Sequence, residues 1–351
     1  MKLLTGFIII LAALAAYVFA VRAVTKGDDS VPADIVTAEP TGPANGETLN
    51  VMIWNLGYAG LGADSDFKAD GGKMLQPPSK ASVERNLAGI QDVLRAQDAD
   101  VFLFQELARG GFLNRGVDVV AGVREALPNY SSQFTADVKT RLVPGGFSLR
   151  NGMGIFWRIA AEAPQIVRLS EEPEPIMGFI PRRYHVQVLE FEQGGVPWTL
   201  IDVHLSAFDE GANTRMQQLG EVIALAQSYY DKGRAVAVGG DWNMRLTETD
   251  FPHTSDESAL FWLHDFPKGE LPEGWQLAFD PNTPTVRTNE RPYELGENYR
   301  TIIDGLLVSP NVEVLNAEGI DLNFQITDHQ PVRYTLGLKR EPEAKEEVAG
   351  E

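Results

Sequence analysis

The segment Ile326-Thr327-Asp328-His329-Gln330-Pro331-Val332 carries the pattern that decides the fold. In it, an acid and an imidazole stand side by side between apolar residues typical of strands. Four shorter polar islands precede it, each at its own apolar run, and a single carboxylate, Asp304, completes the set. The four islands are Asn55, Glu106, Asp202 with His204, and Asp241 with Asn243. Together these residue types can hold a divalent cation, activate a water molecule and orient a phosphate group.

The runs around the islands predict one α/β domain between residues 48 and 338. Helical spacing of apolar residues is clearest over Ser79–Gln97 and Asn213–Tyr230. Strands that alternate with helices, without an internal repeat, indicate strands buried under helices. The predicted strands are Leu49–Trp54, Val101–Phe104, Gly154–Trp157, His185–Phe191, Thr199–Val203, Ala235–Val238, Ile302–Val308 and Val332–Leu336.

The two ends differ from this domain. Residues Leu3–Val21 are uncharged and apolar, close to the ~20 residues of a membrane-spanning helix and longer than the ~7–15 of a signal-peptide core. Two interpretations of residues 1–25 stay open: a retained membrane anchor, or a signal peptide cleaved near Ala20 or Ala23. Residues 26–47, rich in Asp, Pro, Gly and Thr, predict a flexible linker. Residues 339–351, charged and rich in Ala and Glu, predict a disordered tail.

Composition limits the chemistry. The chain has 351 residues, no cysteine and a formal net charge of −19. Disulfides and thiolate chemistry are therefore excluded, and a metal must be held by oxygen or imidazole ligands. The negative charge repels nucleic acid unless a basic groove or a metal overrides it. Basic residues gather at Lys139–Arg141, Arg150, Arg158 and Arg182-Arg183, a distribution typical of ordinary solvated charges.

Each island lies at or just after the end of an apolar run. Clefts open at the ends of sheet strands, so side chains there can converge. Glu106 directly follows Val101–Gln105, and a carboxylate in such a position is costly to bury unless it is paired or bound to a cation. Oxygen donors from Asn55, Glu106 and Asp328 suit a hard ion such as Mg²⁺.

The motif Gly240-Asp241-Trp242-Asn243 supplies groups for acid–base work. Its glycine lets the backbone approach closely and leaves the acid at the edge of a cleft. Asp241 can act as a general base, and Asn243 can hydrogen-bond a phosphate oxygen or the attacking water. A single Asp or Asn after a strand is more often a turn or capping residue, so the argument depends on the whole set.

The histidines complete the candidate set. His204 and His329 are two of five in the chain, and imidazoles suit the stabilisation of phosphate oxygens near neutral pH. Asp304 can fix the tautomer or raise the pKa of one of them. Asp202 is a weaker candidate, because its alternation with Val203 can place it differently from His204.

These motifs, in this order, resemble those of the endonuclease/exonuclease/phosphatase superfamily, the metal-dependent fold of DNase I-like nucleases, neutral sphingomyelinases and inositol polyphosphate 5-phosphatases. The resemblance spans Leu49 to Leu338 and points to a less characterised bacterial branch. Each motif is weak alone, but six in register make the assignment specific. They are Val51–Asn55, Phe104–Glu106, Val203–Leu205, Gly240–Asn243, Ile303-Asp304 and Thr327–His329.

The resemblance implies a four-layer α/β sandwich, in which two packed mixed β-sheets are flanked by helices and one active site lies at their shared rim. It also implies Mg²⁺ or Mn²⁺ as cofactor. The implied roles are metal ligation by Asn55 and Glu106, water activation by Asp241, phosphate binding by Asn243, transition-state stabilisation by His204 and His329, pairing of Asp304 with His329, and metal ligation or orientation by Asp328.

Two long loops are expected near the site. Gly57–Ser79 follows Asn55 directly and would overhang the metal, where it could select the substrate. Asp250–Asn298 has no long period and is interpreted as a lid or substrate rim, with a surface insertion as the alternative. The sequence of the strand Asn151–Arg158 differs from the corresponding sequences of relatives. Arg141 and Arg158 are therefore only candidates for a phosphate contact.

The sequence therefore predicts a Mg²⁺- or Mn²⁺-dependent phosphoesterase that hydrolyses a small or lipid-linked phosphodiester or phosphomonoester by direct attack of water. Phospholipids and inositol phosphates are the expected substrates, with membrane contact through the N-terminal segment and an exported, extracytoplasmic location in a bacterium. The alternatives are an exported metal-dependent nuclease, which would act on nucleic acid, and a binding or scaffold protein that lost the chemistry.

Overall fold

The computed structural model describes residues 2–42, 46–207 and 211–339. Its helices are α1 (Lys2–Lys26), α2 (Lys80–Ala96), α3 (Val119–Ala126) and α4 (Asn213–Tyr230). In chain order the strands are β1 (Ala33–Val36), β2 (Leu49–Asn55), β3 (Val101–Ala108), β4 (Ser131–Lys139), β5 (Arg150–Trp157), β6 (Gln165–Arg168), β7 (His185–Gln193), β8 (Val196–His204), β9 (Ala235–Asp241), β10 (Gln276–Ala278), β11 (Val286–Arg287), β12 (Arg300–Thr301), β13 (Asp304–Val308), β14 (Val312–Gly319) and β15 (Val332–Leu338).

The strands form two mixed sheets, as the predicted fold class requires. One has seven strands in the order β1-β4-β5-β3-β2-β15-β14, and the other has six in the order β10-β13-β9-β8-β7-β6. The pairs β2–β3 and β8–β9 are parallel. The neighbours of each parallel pair run antiparallel to it, so both sheets are mixed.

The sheets pack face to face between helices. Alternate residues of β2 point in opposite directions: Val51 and Ile53 join the core between the sheets, whereas Met52 and Trp54 pack under α2 and α3. Helix α4 covers the outer face of the six-stranded sheet. Because both faces of the central strands are buried, their sequences are continuous apolar runs rather than alternating ones. The predicted four-layer sandwich is confirmed.

The loop Gly57–Ser79 ends in a well-defined helix start. Ser79 is the N-cap of α2, and its side chain accepts from the backbone N of Ser82 at 3.0 Å. The hydroxyl of Ser82 accepts from the backbone N of Ser79 at 3.2 Å, which completes a reciprocal cap. Such caps satisfy orphan donors at a helix terminus. The loop therefore has a fixed exit as well as a fixed entry at β2.

The predicted linker, residues 26–47, contains structure that its composition did not reveal. Ala33–Val36 forms the edge strand β1 on β4, and Asp34 bridges Arg109 and Arg124. Sheet pairing and two arginine partners hold residues 33–36 in place, so this part of the predicted linker is ordered. The tail prediction falls on residues 340–351, which lie outside the described residues. The domain boundaries themselves stay predictions.

Among the described residues, one helix is long and apolar enough to cross a membrane. It covers Leu4–Lys26, with a mean hydropathy of 2.5 over its best window, and it lies almost wholly outside the folded body. Length and composition are the basis for this statement, and a signal sequence meets the same test.

Candidate active site

The candidate residues meet where four strand ends converge. Asn55, His204 and Asp241 are the last residues of β2, β8 and β9. The parallel register places His204 beside Asp241, and the antiparallel neighbour β13 places its first residue, Asp304, on the other side of Asp241. Parallel strands end at the same edge of a sheet, which is why residues distant in sequence share one cleft.

Asp241 lies at the centre of this cleft. Its Oδ2 accepts from Nδ2 of Asn55 at 3.0 Å, and its Oδ1 accepts from the backbone N of Asn243 at 2.8 Å. Nε2 of His204 and Nε2 of His329 lie 3.6 and 3.8 Å from Oδ2. Burial and the nearby carboxylate of Asp304 raise the pKa of Asp241 to about 6. The group is thus ionised at neutral pH, with a basicity that suits proton transfer.

His329 is held as a cation. Its Nδ1 lies 2.9 Å from Oδ2 of Asp304, and its backbone carbonyl accepts from Nε1 of Trp54 at 3.1 Å. Burial opposes the charged imidazole, but Asp304, together with Asp241 and Asp328, outweighs burial and raises the pKa of His329 to about 10. The imidazolium therefore donates Nδ1–H to Asp304 and directs Nε2–H into the cleft.

His204 has the opposite state. Its Nδ1 lies 3.2 Å from a terminal nitrogen of Arg182, which can only donate. Burial, Arg182 and His329 hold the pKa of His204 well below its usual value. Neutral His204 thus accepts at Nδ1 and carries its proton at Nε2, facing Asp241. Two imidazoles with separated pKa values are a common arrangement in acid–base sites.

Glu106 and Asp328 form the carboxylate side of the cleft. Glu106 lies at an irregularity of the β3–β5 pairing with a φ of 51°, which turns its side chain inward. Burial and the carboxylate of Asp328 raise the pKa of Glu106 to about 8. Asp328 packs against Gly57, where an added Cβ would stand 2.6 Å from Oδ1 of Asp328. A larger residue at position 57 would therefore displace the carboxylate of Asp328.

Asp202 does not line the cleft. It lies between the sheets, where Nε2 of Gln105 donates to its Oδ1 at 2.6 Å. Burial raises the pKa of Asp202 well above its usual value. Asp202 is two residues before His204 on the same inward face of β8, so its depth between the sheets, and not strand alternation, keeps it out of the cleft.

Arg182 lines the cleft, and sequence reasoning missed it. Its Nε donates to Oδ2 of Asp137 at 3.0 Å, and its guanidinium carbon lies 4.6 Å from the ring centroid of Tyr184. These contacts hold a buried cation beside His204. Nothing in the local sequence, neither the adjacent Arg183 nor the position before β7, distinguishes Arg182 from ordinary solvated charges.

The two arginines proposed for phosphate contact lie elsewhere. Arg158 pairs with Asp98 at 2.6 Å and with Asp100 at 3.0 Å, and Arg141 pairs with Asp28 at 3.4 Å. Neither lines the cleft. Both candidates are therefore wrong: their proximity to the strand Asn151–Arg158 in sequence did not place them at its cleft end.

The two long loops form the rim of the cleft, as expected. Nδ2 of Asn289 donates to Oδ2 of Asp328 at 2.7 Å and to Oδ2 of Asp70 at 3.1 Å, which links the loops across the site. Buried Arg287 donates to the carbonyls of Leu61 and Gly62 at 3.1 and 2.9 Å. Burial and Asp328 raise the pKa of Asp70 to about 7. These contacts place part of Asp250–Asn298 at the cleft, and its role as a lid or substrate rim stays a prediction.

The donor set fits a divalent cation. Ligand atoms of Asp241, Asp304 and His329 lie within 4.8 Å of one another, and Oδ1 of Asp304 is buried without a hydrogen-bond partner among the described residues. The hydrogen bond between His329 and Asp304 accounts for part of this proximity. Glu106 and Asp328 add carboxylate oxygens to the lining of the cleft, whereas Asn55 donates from Nδ2 to Asp241 and accepts at Oδ1 from the backbone N of Gly57 at 3.0 Å. Carboxylate and amide oxygens suit hard ions.

Comparison with known proteins agrees with this geometry. The model described as the Endonuclease/Exonuclease/phosphatase family matches residues 52–329. An endonuclease/exonuclease/phosphatase from Beutenbergia cavernae is 19% identical, with 85% of this chain and 73% of that chain covered and a TM-score of 0.56. TDP2 from Caenorhabditis elegans is 15% identical, with 84% and 75% covered and a TM-score of 0.53.

A family protein from Leptotrichia buccalis is 12% identical, with 83% and 100% covered and a TM-score of 0.53. At these identities the solved structures show a shared fold alone. No curated protein matches the chain. The family model covers well over half of the sequence, and the chain belongs to the endonuclease/exonuclease/phosphatase family.

Proposed function

We propose that this protein is a divalent-metal-dependent phosphoesterase that acts at a membrane and hydrolyses a lipid-linked or small phosphoester by direct attack of water. The observation that carries the proposal is the arrangement around Asp241. One ionised carboxylate is surrounded by a cationic imidazole, a neutral imidazole and an amide, all within 3.0–3.8 Å. This arrangement suits proton removal from water next to groups that stabilise negative charge.

Each side chain has a proposed task. Asp241 accepts the proton of the attacking water. His329, held as a cation by Asp304, donates to a phosphate oxygen, and Arg182 adds a second positive charge on the far side of His204. The amide of Asn243 donates one hydrogen to the carbonyl of Leu205 at 2.9 Å, and its second hydrogen is proposed to bind substrate.

Glu106, Asp328 and Asn55 are proposed to hold the cation, Mg²⁺ or Mn²⁺. When bound, such an ion neutralises phosphate charge and positions substrate oxygens. A cation would also favour the charged form of Glu106, whose pKa is raised by burial and by the carboxylate of Asp328. The donor types are consistent with this assignment.

The substrate class rests on charge and on the N-terminal helix. A net charge of −19 opposes the long phosphate backbone of nucleic acid, whereas a single phosphoester needs only the local cations of the cleft. Helix α1 is proposed as a retained anchor that places the domain at an extracytoplasmic membrane surface. The substrate would then be a phospholipid, an inositol phosphate or a related lipid-linked ester.

The test is hydrolysis by the detergent-solubilised full chain with Mg²⁺, Mn²⁺ or EDTA. Substrates are bis-para-nitrophenyl phosphate, phospholipid micelles, inositol phosphates and single-stranded DNA. Asp241→Asn should lower kcat about 10²–10⁴-fold, the range of general acid–base catalysis. The matched control is Asp202→Asn, which replaces a buried carboxyl outside the cleft and should keep kcat within about threefold.

Outcomes separate the alternatives. Metal-dependent turnover that is lost in Asp241→Asn and kept in Asp202→Asn supports the enzyme, and the preferred substrate separates lipid ester from nucleic acid. Salt-sensitive cleavage of DNA above all other substrates would replace the proposal with a nuclease. Equal activity of Asp241→Asn and the unaltered chain would sink the mechanism.

A further inference from the structure

Two loops next to helix α1 expose large apolar side chains. The first is the β4–β5 hairpin tip, residues 140–149, where Leu142 and Phe147 are 60% and 71% exposed. The second is the β6–β7 turn, residues 175–180, where Ile176 and Met177 are 41% and 78% exposed. Apolar side chains exposed together on neighbouring loops mark an interaction surface more often than scattered single residues do.

Both loops contact helix α1. The hydroxyl of Tyr17 donates to the carbonyl of Leu142, and the guanidinium of Arg22 lies 5.3 Å from the ring centroid of Phe179. One turn further along the helix, Oγ1 of Thr25 accepts from the backbone N of Arg141 at 3.0 Å. The helix is therefore fastened to the hairpin tip at two levels and to the turn at one.

These contacts set the depth of the loops. If Arg22, the first charge after the apolar run, lies at the headgroups, then Tyr17 lies about 7 Å deeper, at 1.5 Å per residue. The carbonyl of Leu142 is bound to Tyr17, so the hairpin tip cannot stay in water above the membrane. The same helix that would enter the bilayer carries the exposed loops to its surface.

We infer that the β4–β5 hairpin tip and the β6–β7 turn insert into the lipid interface around α1 as a second membrane contact. Exposed Arg22 and Arg150 flank the loops and suit anionic headgroups, and one acid, Glu174, directly precedes the turn. The inference rests on the proposed retention of α1 as an anchor. Its occupant is the bilayer, because the surface is continuous with a helix that has the length and composition of a span.

The inserted loops hold the active site close to lipid headgroups. Arg182 lies five residues after Met177 on the same segment, so the cleft is at most about 18 Å of extended chain from the inserted turn. Arg183, next to it, binds the carbonyl of Asp28, just after α1. The arginine side of the cleft thus lies on the membrane side of the domain.

The test is tryptophan quenching by brominated lipid in the full chain, reconstituted in phosphatidylcholine and phosphatidylglycerol vesicles at 3:1. Phe147→Trp and Met177→Trp report on the two loops, and Phe19→Trp on α1, where residue 19 is 75% exposed. The matched control is Leu315→Trp, 50% exposed on β14, at the opposite edge of the seven-stranded sheet from β4. β14 lies five strand spacings from β4, about 24 Å.

Brominated lipid should quench the added fluorescence of the two loop variants at least twofold, as it does that of Phe19→Trp, and leave Leu315→Trp unchanged. Quenching at Phe19→Trp without quenching at either loop would overturn the second contact and keep the anchor. No quenching at Phe19→Trp would overturn both. Hydrolysis of bis-para-nitrophenyl phosphate by the same variants, expected within twofold of the unaltered chain, confirms folding and judges the proposed chemistry separately.

Discussion

Replacement of Arg182 by glutamine tests two roles of this residue: a structural role in the ion pair with Asp137 and the proposed role in phosphate binding. The side chains of Arg182 and Asp137 are 12% and 4% exposed, so Arg182→Gln leaves a buried carboxylate without its cation. Breaking such a pair costs about 3–5 kcal/mol, because one charge stays buried and unpaired. At about 2–4 °C per kcal/mol for a domain of this size, the midpoint of thermal unfolding should fall by roughly 6–20 °C.

The same substitution should lower turnover for a different reason. A charge-assisted hydrogen bond to a phosphate oxygen contributes about 1.5–3 kcal/mol, which corresponds to a loss of about 10–150-fold in kcat/KM. The assay is hydrolysis of bis-para-nitrophenyl phosphate well below the unfolding midpoint, with circular dichroism to follow unfolding. The neighbouring substitution Arg183→Gln is the control, because Arg183 pairs with Glu171 at 2.5 Å outside the cleft.

A double variant decides between the two uses. Asp137→Asn with Arg182→Gln removes both charges, and the retained Oδ1 of residue 137 still accepts from the backbone N of Val138. The unfolding midpoint should recover most of the loss, while kcat/KM should stay low. Recovery of kcat/KM together with stability would refute a direct role for Arg182, and an equal loss of activity in Arg183→Gln would show that the effect is not local to the cleft.

Two further substitutions test how the fold positions the site. Gly240→Ala places a Cβ 2.1 Å from the carbonyl oxygen of Val203 at a φ of +143°, so it should cost at least about 1–3 kcal/mol in urea unfolding and lower turnover by moving Asp241. The matched Gly220→Ala lies in α4 with nothing within 4 Å and should stabilise by about 0.5–1 kcal/mol; the opposite order would contradict this account. Asp304→Asn should lower kcat about 10²–10⁴-fold with little loss of secondary structure by circular dichroism, since His329 loses its charged partner; turnover near that of the unaltered chain would rule out this pairing as functional.

The polar residues predicted from sequence share one property. Asn55, His204 and Asp241 end strands whose apolar runs are visible in the sequence, and two parallel pairs bring these ends to one edge. Strand period and residue chemistry are both local signals, so the proximity of these residues followed from them. The start of helix α2 is also a local signal: the apolar spacing predicts a helix from Ser79, and Ser79 caps α2.

The residues that sequence missed depend on contacts between distant segments. Asp70 and Asn289 share a hydrogen bond across 219 residues, and no local pattern in either loop indicates the partner. Arg182 reaches His204 because the end of β4, through Asp137, holds it there. β1 was missed for the same reason: its composition is that of a linker, whereas Arg109 and Arg124, which hold Asp34, lie far along the chain.

Backbone strain links the site residues that were predicted from sequence to the loop residues that were not. Glu106 and Asn243 both have a φ of 51°, and Tyr58 in the loop after β2 has a φ of 43°, although none of them is glycine. Each such conformation costs about 1–3 kcal/mol and persists only where the surroundings enforce it. The irregular β3–β5 pairing enforces it at Glu106, and the hydrogen bond to Asp241 enforces it at Asn243. At Tyr58 the enforcing contacts include the loop fastened by Arg287. The loops of the rim therefore also fix the backbone at the entrance to the candidate catalytic residues, so a changed rim should alter turnover.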